Sequence, residues 1–455
     1  MRDRRVTRGV DVRGLFAGIL VGTLALGGCA AGGSSSTGSQ PPPVQGKIEH
    51  VVIIFQENRT PDNLFHGLPG ADIANSGLNT SGETIPLSPI ALANSYDLSH
   101  EHAAFVLMYD GGKMDGANGI PATCEKGGTS CLPANPQYQY VDPSDVQPYF
   151  QMAEQYTFGD RMFQTNERPS FPAHQFIIAG TSAPTATSDF FAAENPILPG
   201  GADTTSNAGC AAPADETVAL IDPLGQENTS QFPCFEHQTL GDLLDTAGIS
   251  WKYYAPSSGS IWTAPNAIQH MRYGADWSKV IIPETQVLTD IANGDLAGVT
   301  WVIPNGLSSD HAGINDGSGP SWVTSVVNAI GNSQFWSSTV ILISWDDWCG
   351  WYDHVAPTIL NSYEYGFRVP LIVISPYAKS GYVSHVTHDF GSFLKFTEEV
   401  FNLPSLGYAD ATADDLSDCF NFNQTPTAFH SFAAKLDANY FLTVKRPAVD
   451  PDDDN

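Results

Sequence analysis

The stretch from Ser338 to His354 constrains the fold more than any other part of the chain. It opens with Val340-Ile-Leu-Ile343, a short apolar run rich in β-branched residues. Such a run reads as a strand buried on both faces, as in parallel sheets covered by helices. Asp346 and Asp347 follow directly after Trp345, and Asp353 and His354 come a few residues later. Side chains alternate along a strand, so a surface ladder needs only one polar side. At a strand's carboxyl end, where the chain bends into a Gly-bearing loop, both acids can turn onto a cation. Open α/β sheets bind their ligands at that end. Solvated loop acids are the plain alternative.

The same arrangement recurs near the start. The apolar run Ile48–Phe55 delivers Gln56, Glu57, Asn58 and Arg59. Glu57 can ligate a hard cation, and Asn58 can add a carbonyl oxygen or donate to a phosphate. Arg59 is expected to pair with Asp62. Further on, Ser170 precedes Pro172 and a helical pattern that stops at Gly180. Ser is a favoured helix cap, Pro is tolerated in the first turn, and Gly is a favoured stop. The amino end of a helix also stabilises an alkoxide and an incoming phosphate. Ser170 therefore reads as a cap or as a nucleophile. Strands at Ile249–Tyr254, Val299–Ile303 and Val340–Ile343 alternate with helical patterns, including one from Gly391 to Phe401. That order predicts an α/β fold, a central mainly parallel sheet flanked by helices.

Twenty Lys and Arg against 49 Asp and Glu give a net charge of −29. No basic patch can be assembled from so few cations, which argues against a nucleic-acid partner. Five arginines between Arg2 and Arg13 precede an apolar segment, Leu15–Leu26, too short to span a bilayer comfortably. Residues 1–29 read as an export signal. Its ending, Leu26-Gly-Gly-Cys29, resembles a bacterial lipobox, which implies lipid attachment at Cys29 in the cell envelope; ordinary cleavage near Ala30 or Ala31 would give a secreted chain. Residues 30–46 form a Gly-, Ser- and Pro-rich tether. The main domain then runs over 47–445, with an insertion at about 183–235 and an acidic tail over 446–455.

Of the 7 cysteines, those other than Cys29 are even in number, as in an exported chain with disulfides. Neighbour pairing predicts Cys124–Cys131, Cys210–Cys234 pinning the insertion, and Cys349–Cys419. A zinc cluster is the rival, but no Cys-x-x-Cys spacing supports it.

The segment His50-Val-Val-Ile-Ile-Phe-Gln-Glu-Asn-Arg-Thr-Pro-Asp-Asn-Leu-Phe-His-Gly67 resembles the opening signature of the bacterial phosphoesterase family. That family includes phospholipases C and an acid phosphatase, with an alkaline-phosphatase-like fold. Further blocks follow in the family's order: Asp97-Leu-Ser-His100, Gly111–Gly116, Phe158–Phe163, Ser308-Ser-Asp-His311, Asp346–Val355 and Gly366–Lys379. Departures are Thr60 for Ser, Ala312 for Pro, Asp347 for Glu, Cys349 for Gly, and Ala173-His174 where the family commonly has Asn-Arg. The resemblance implies a hydrolase of phosphoric esters or phospholipids that works through a phosphoseryl intermediate at Ser170. It implies a divalent metal ion of open identity on Glu57, Asn58, Asp346 and Asp347. His311, with Asp310 beside it, would assist the leaving group; His102, His174 and His354 are candidates for substrate contact. Monoester and diester substrates stay equally open, as does an inactive binding protein of the same fold. A Ser-His-Asp esterase lacks support, because no Gly-x-Ser-x-Gly elbow surrounds Ser170.

Overall fold

The computed structural model describes residues 44–447 except 168, 201 and 204–206; the expected export signal, Cys29, most of the expected tether and the tail from 448 lie outside the described residues. The described residues fall within one compact unit.

Eight strands form the central sheet: β1 (His50–Gln56), β2 (Thr157–Gly159), β3 (Trp251–Tyr254), β4 (Val280–Ile281), β5 (Val299–Val302), β6 (Thr339–Trp345), β7 (Leu371–Ile374) and β8 (Tyr382–Ser384). Their order is β4-β3-β5-β1-β6-β7-β2-β8. All neighbours run parallel except β7, which is antiparallel to both β6 and β2. The mainly parallel α/β sheet expected from the apolar runs is thus present. Every residue of β6 is buried, as the apolar run Val340–Ile343 at its centre requires.

Six helices matter for the site: α1 (His102–Tyr109), α2 (Gln147–Gln155), α3 (Ser170–Ala179), α4 (Leu240–Ala247), α5 (Gly319–Gly331) and α6 (Phe390–Phe401). They cover opposite faces. Phe55 of β1 packs on Phe390 and Phe393 of α6, with ring centroids 5.2 and 5.9 Å apart. Trp345, in register with the next residue of β1, packs instead on Tyr149 of α2 at 5.2 Å. The pleat that sends Phe55 to one face and Trp345 to the other also sorts the residues that follow them.

The Cys124–Cys131 and Cys210–Cys234 disulfides are present. The Cys349–Cys419 bridge is not: both are buried thiols. Cys349 belongs to an outer apolar layer with Trp348, Trp351 and Phe367, whereas Cys419 sits in the main core, so the two never approach. Burial pushes both thiols well above their ordinary pKa.

Candidate active site

Glu57 and Asn58 leave the carboxyl end of β1, and Asp346 and Asp347 leave that of the adjacent β6. The ladder runs one bond further, from the Asp346 N–H to the Gln56 carbonyl at 3.0 Å. This bond sets the two strand ends side by side. Asn58 then takes a left-handed conformation (φ 59°), which Asn tolerates better than most residues, and its N–H donates to Asp346 Oδ1 at 3.0 Å. The Asp347 N–H donates to the same oxygen at 2.8 Å. Asp346 Oδ2 and Asn58 Oδ1 are buried and make no hydrogen bond.

Ser170 opens α3, but not as its cap. Pro169 occupies the cap position and no side chain caps from there. The Phe171 N–H is taken by Asn195 Oδ1 of the insertion at 3.0 Å. The Ser170 hydroxyl is left to reach Glu57 Oε2 at 3.2 Å and Asp347 Oδ2 at 3.4 Å. His174 stands one turn along α3, on the same face of the helix. Its Nε2 meets Glu57 Oε1 at 3.1 Å and Asp346 Oδ2 at 3.8 Å. Its ring stacks near Trp262, at 6.2 Å between centroids. Glu57, Asn58, Ser170, His174, Asp346 and Asp347 are all fully buried.

The histidines divide. His100 Nδ1 lies 3.0 Å from the Leu98 carbonyl. A carbonyl only accepts, so that nitrogen carries a proton. Nε2 faces Asn58 Nδ2 at 3.1 Å and Asp347 Oδ2 at 3.8 Å. His311 is buried 5.9 Å from His100, ring edge to ring face, with its own Nδ1 on the Ala312 carbonyl at 2.7 Å. His102 stands apart, 3.3 Å from Glu167 and 3.0 Å from Glu227. His100 was legible as a candidate only in its Asp97-Leu-Ser-His100 block; nothing local separates it from His102.

Asp310, Arg59 and His354 take other partners than the sequence suggested. The Asp310 carboxylate turns to the α2 and α5 face of the sheet, away from the cluster. Its Oδ2 accepts from Tyr149 OH at 2.8 Å and Trp345 Nε1 at 3.2 Å. Its Oδ1 lies so close to Gly319 that a Cβ there would sit 1.9 Å from it. His311 is oriented by Ala312, not by Asp310. Arg59 does not pair with Asp62; it holds the Asp310 carbonyl with Nε at 2.9 Å and Nη2 at 2.6 Å, and bonds Asn63. His354 lies in a separate charge network, 2.8 Å from Asp62 and 3.1 Å from Asp72, while Asp353 is held by Arg368 at 3.0 Å.

The buried carboxylates of Glu57, Asp346 and Asp347 gather at the two strand ends, and two of them, Glu57 and Asp347, meet the Ser170 hydroxyl. Burying charge at this density is costly without a cation. The ligand atoms of Glu57, His174 and Asp346 lie within 4.8 Å of one another. With the unbonded oxygens of Asn58 and Asp346, this donor set fits a divalent metal ion.

The phosphoesterase family model matches residues 48–404. The chain belongs to the phosphoesterase family. Members hydrolyse phosphoric ester bonds, and the cluster between β1, β6 and α3 is where this phosphoesterase gathers groups suited to that chemistry. Phospholipase C A of Mycobacterium tuberculosis is 24% identical over 443 residues, covering 84% of this chain and 78% of its own. The non-hemolytic phospholipase C of Pseudomonas aeruginosa is 24% identical over 470 residues, covering 89% of this chain and 62% of its own. An alkaline phosphatase superfamily protein from Vibrio parahaemolyticus aligns over 82% of this chain and 72% of its own, at 11% identity and a TM-score of 0.37. A likeness of that size adds nothing to the topology.

Proposed function

We propose that this phosphoesterase is a metal-dependent, phospholipase C-like hydrolase that uses Ser170 as its nucleophile. One observation carries the reading. The Ser170 hydroxyl leaves helix capping to Asn195 and lies between the Glu57 and Asp347 carboxylates. The names of the relatives above favour a phospholipid diester over a monoester.

Glu57, Asn58, Asp346 and Asp347 would hold the metal, and the Nε2 of His174 is placed to join them. A divalent ion there would lower the pKa of the Ser170 hydroxyl and neutralise charge on the phosphoryl group. A nitrogen donor among the oxygens widens the choice of ion beyond the hard cations. In the proposed reaction the Ser170 proton passes to a carboxylate beside it, and Oγ attacks phosphorus in line. The bond to the leaving alkoxide breaks as the Ser170 Oγ–P bond forms. His311 Nδ1 carries a proton on the Ala312 carbonyl, so Nε2 of the imidazolium form is the nitrogen that gives a proton to that alkoxide. Water then gives a proton to the now neutral His311 and attacks phosphorus; the Ser170 Oγ–P bond breaks, Oγ recovers its proton from the carboxylate, and the phosphomonoester leaves. Asp310 holds the loop that carries His311, and His102 and His354 have no part in the chemistry.

We also infer export, with attachment through Cys29 where the ending of the signal directs acylation. Metabolic labelling with a fatty acid, lost in Cys29→Ala, tests it.

The catalytic reading is tested with p-nitrophenyl phosphorylcholine and p-nitrophenyl phosphate, with and without chelator, beside Ser170→Ala and Asp346→Asn. Chelator-sensitive turnover of the choline ester, lost in both variants, is expected. Turnover surviving Ser170→Ala would remove Ser170 as nucleophile. Preference for the monoester would make this a phosphatase.

A further inference from the structure

The acidic cluster is buried, but segments bonded to the chain beside it carry apolar side chains into solvent. Val106 and Leu107 on α1 are 53% and 43% exposed. Leu224, at a turn of the insertion, is 84% exposed, and Ile359 and Leu360 are 39% and 51% exposed. Scattered apolar residues are ordinary on a protein surface. These five lie on three segments that are bonded to one another, and that linkage sets them apart.

The linkage can be followed residue by residue. His102 begins α1, and Val106 lies one turn along the same face of that helix. His102 is 3.0 Å from Glu227, three residues past Leu224, and 3.3 Å from Glu167, three residues before Ser170. The Ser362 hydroxyl donates to the Asp222 carbonyl at 2.8 Å, joining the Ile359–Leu360 loop to the Leu224 turn. Tyr363 anchors that loop inward, stacked on Phe191 at 5.5 Å and 6.2 Å from Phe176 of α3. The tips are braced as well. Asp222 Oδ1 accepts from the Leu224 and Gln226 N–H groups at 2.8 and 2.9 Å. Asn361 Oδ1 accepts from the Tyr363 and Glu364 N–H groups at 2.8 and 3.0 Å. Apolar side chains held out from rigid turns lose little freedom when they enter another phase.

We propose that Val106, Leu107, Leu224, Ile359 and Leu360 form an interfacial rim by which this enzyme docks on a zwitterionic phospholipid surface. The proposal rests on the phospholipase C-like reading and extends it to how the lipid is reached. Charge selects the kind of surface. The chain has a net charge of −29, and the rim carries exposed Glu101 and Glu227. An anionic leaflet repels such a rim, whereas the outward-facing trimethylammonium groups of phosphatidylcholine complement it. Apolar side chains between those headgroups gain by leaving water, as in other interfacially bound proteins.

The test uses the full chain in a Cys29→Ala, Ser170→Ala background, so that neither acylation nor hydrolysis alters the vesicles. Co-sedimentation is measured with phosphatidylcholine vesicles and with phosphatidylglycerol vesicles. Binding to the first over the second is expected, and Leu224→Glu with Leu360→Glu should weaken it at least about tenfold. The same two substitutions with Ser170 intact should leave p-nitrophenyl phosphorylcholine turnover and the unfolding midpoint unchanged, while hydrolysis of vesicle lipid falls. Equal vesicle binding by parent and rim variant, or preference for the anionic vesicles, would overturn the rim. Absence of turnover on the soluble ester would overturn the catalytic reading instead, because vesicle binding is measured on the inactive chain.

Discussion

His174 and Glu57 form a fully buried pair, Nε2 to Oε1 at 3.1 Å, while the other oxygen of the same carboxylate receives the Ser170 hydroxyl at 3.2 Å. Helical spacing makes this possible, since positions 170 and 174 lie one above the other on α3. A single carboxylate thereby connects the proposed nucleophile to an imidazole.

If His174 completes the donor set, removing it weakens metal binding more than it weakens the fold. His174→Ala is expected to lower metal affinity by about 10- to 100-fold. Titration calorimetry on metal-stripped protein measures this, and excess metal should restore part of kcat. Unchanged affinity would place His174 outside the set.

Asp310 is buried, and that burial lifts its pKa to about 6, against hydrogen bonds from Tyr149 and Trp345 and the charge of Arg59 that pull the other way. A raised carboxyl binds more protons folded than unfolded. The stability it contributes is complete below its unfolded pKa near 3.8 and is lost as pH rises through about 6. The loss is on the order of 2–3 kcal/mol. Urea unfolding between pH 4 and 7 should show Asp310→Asn losing less stability than the parent over that window. Parallel pH curves would refute the assignment.

His354 gives the opposite sign. Burial disfavours its charged form, but the bond and charge of Asp62 outweigh burial and raise its pKa. Its stabilising contribution is present below about 6.5 and is lost as pH rises through the folded value. His354→Asn should cost roughly 0.5–2 kcal/mol at pH 6 and less at pH 8. KM for the soluble ester should not move; a rise in KM would return His354 to the substrate site.

Thiol counting separates several readings at once. The folded protein should react slowly with Ellman's reagent at Cys349 and Cys419, which are buried. In denaturant without reductant, a chain acylated at Cys29 or cleaved after it should yield two thiols, and a chain with free Cys29 should yield three. No thiols from Cys349 and Cys419 would restore the third disulfide.

Strands β1, β3, β5 and β6, the acids after β1 and β6 and the helix opening at Ser170 were legible in the sequence, because each is a local pattern of burial, period and stop residue; the two- and three-residue strands β2, β4 and β8 are too short to carry such a pattern. So were the two short-range disulfides, whose partners lie only 7 and 24 residues apart. What the sequence left open depended on which face a side chain takes and on what comes to meet it. Asp310 looked like a partner for His311, but its backbone at φ 75° and the bare Gly319 send its carboxylate through to Tyr149 and Trp345. His100 and His102 lie two residues apart, yet one meets Asn58 and the other Glu227. Ser170 read as a cap or a nucleophile until Asn195, from the insertion that follows α3, supplied the capping oxygen. Local propensity sets where an element starts and stops. Orientation at the site is decided by the pleat of β1 and β6 and by groups far apart in the chain, and only the packed structure brings these together.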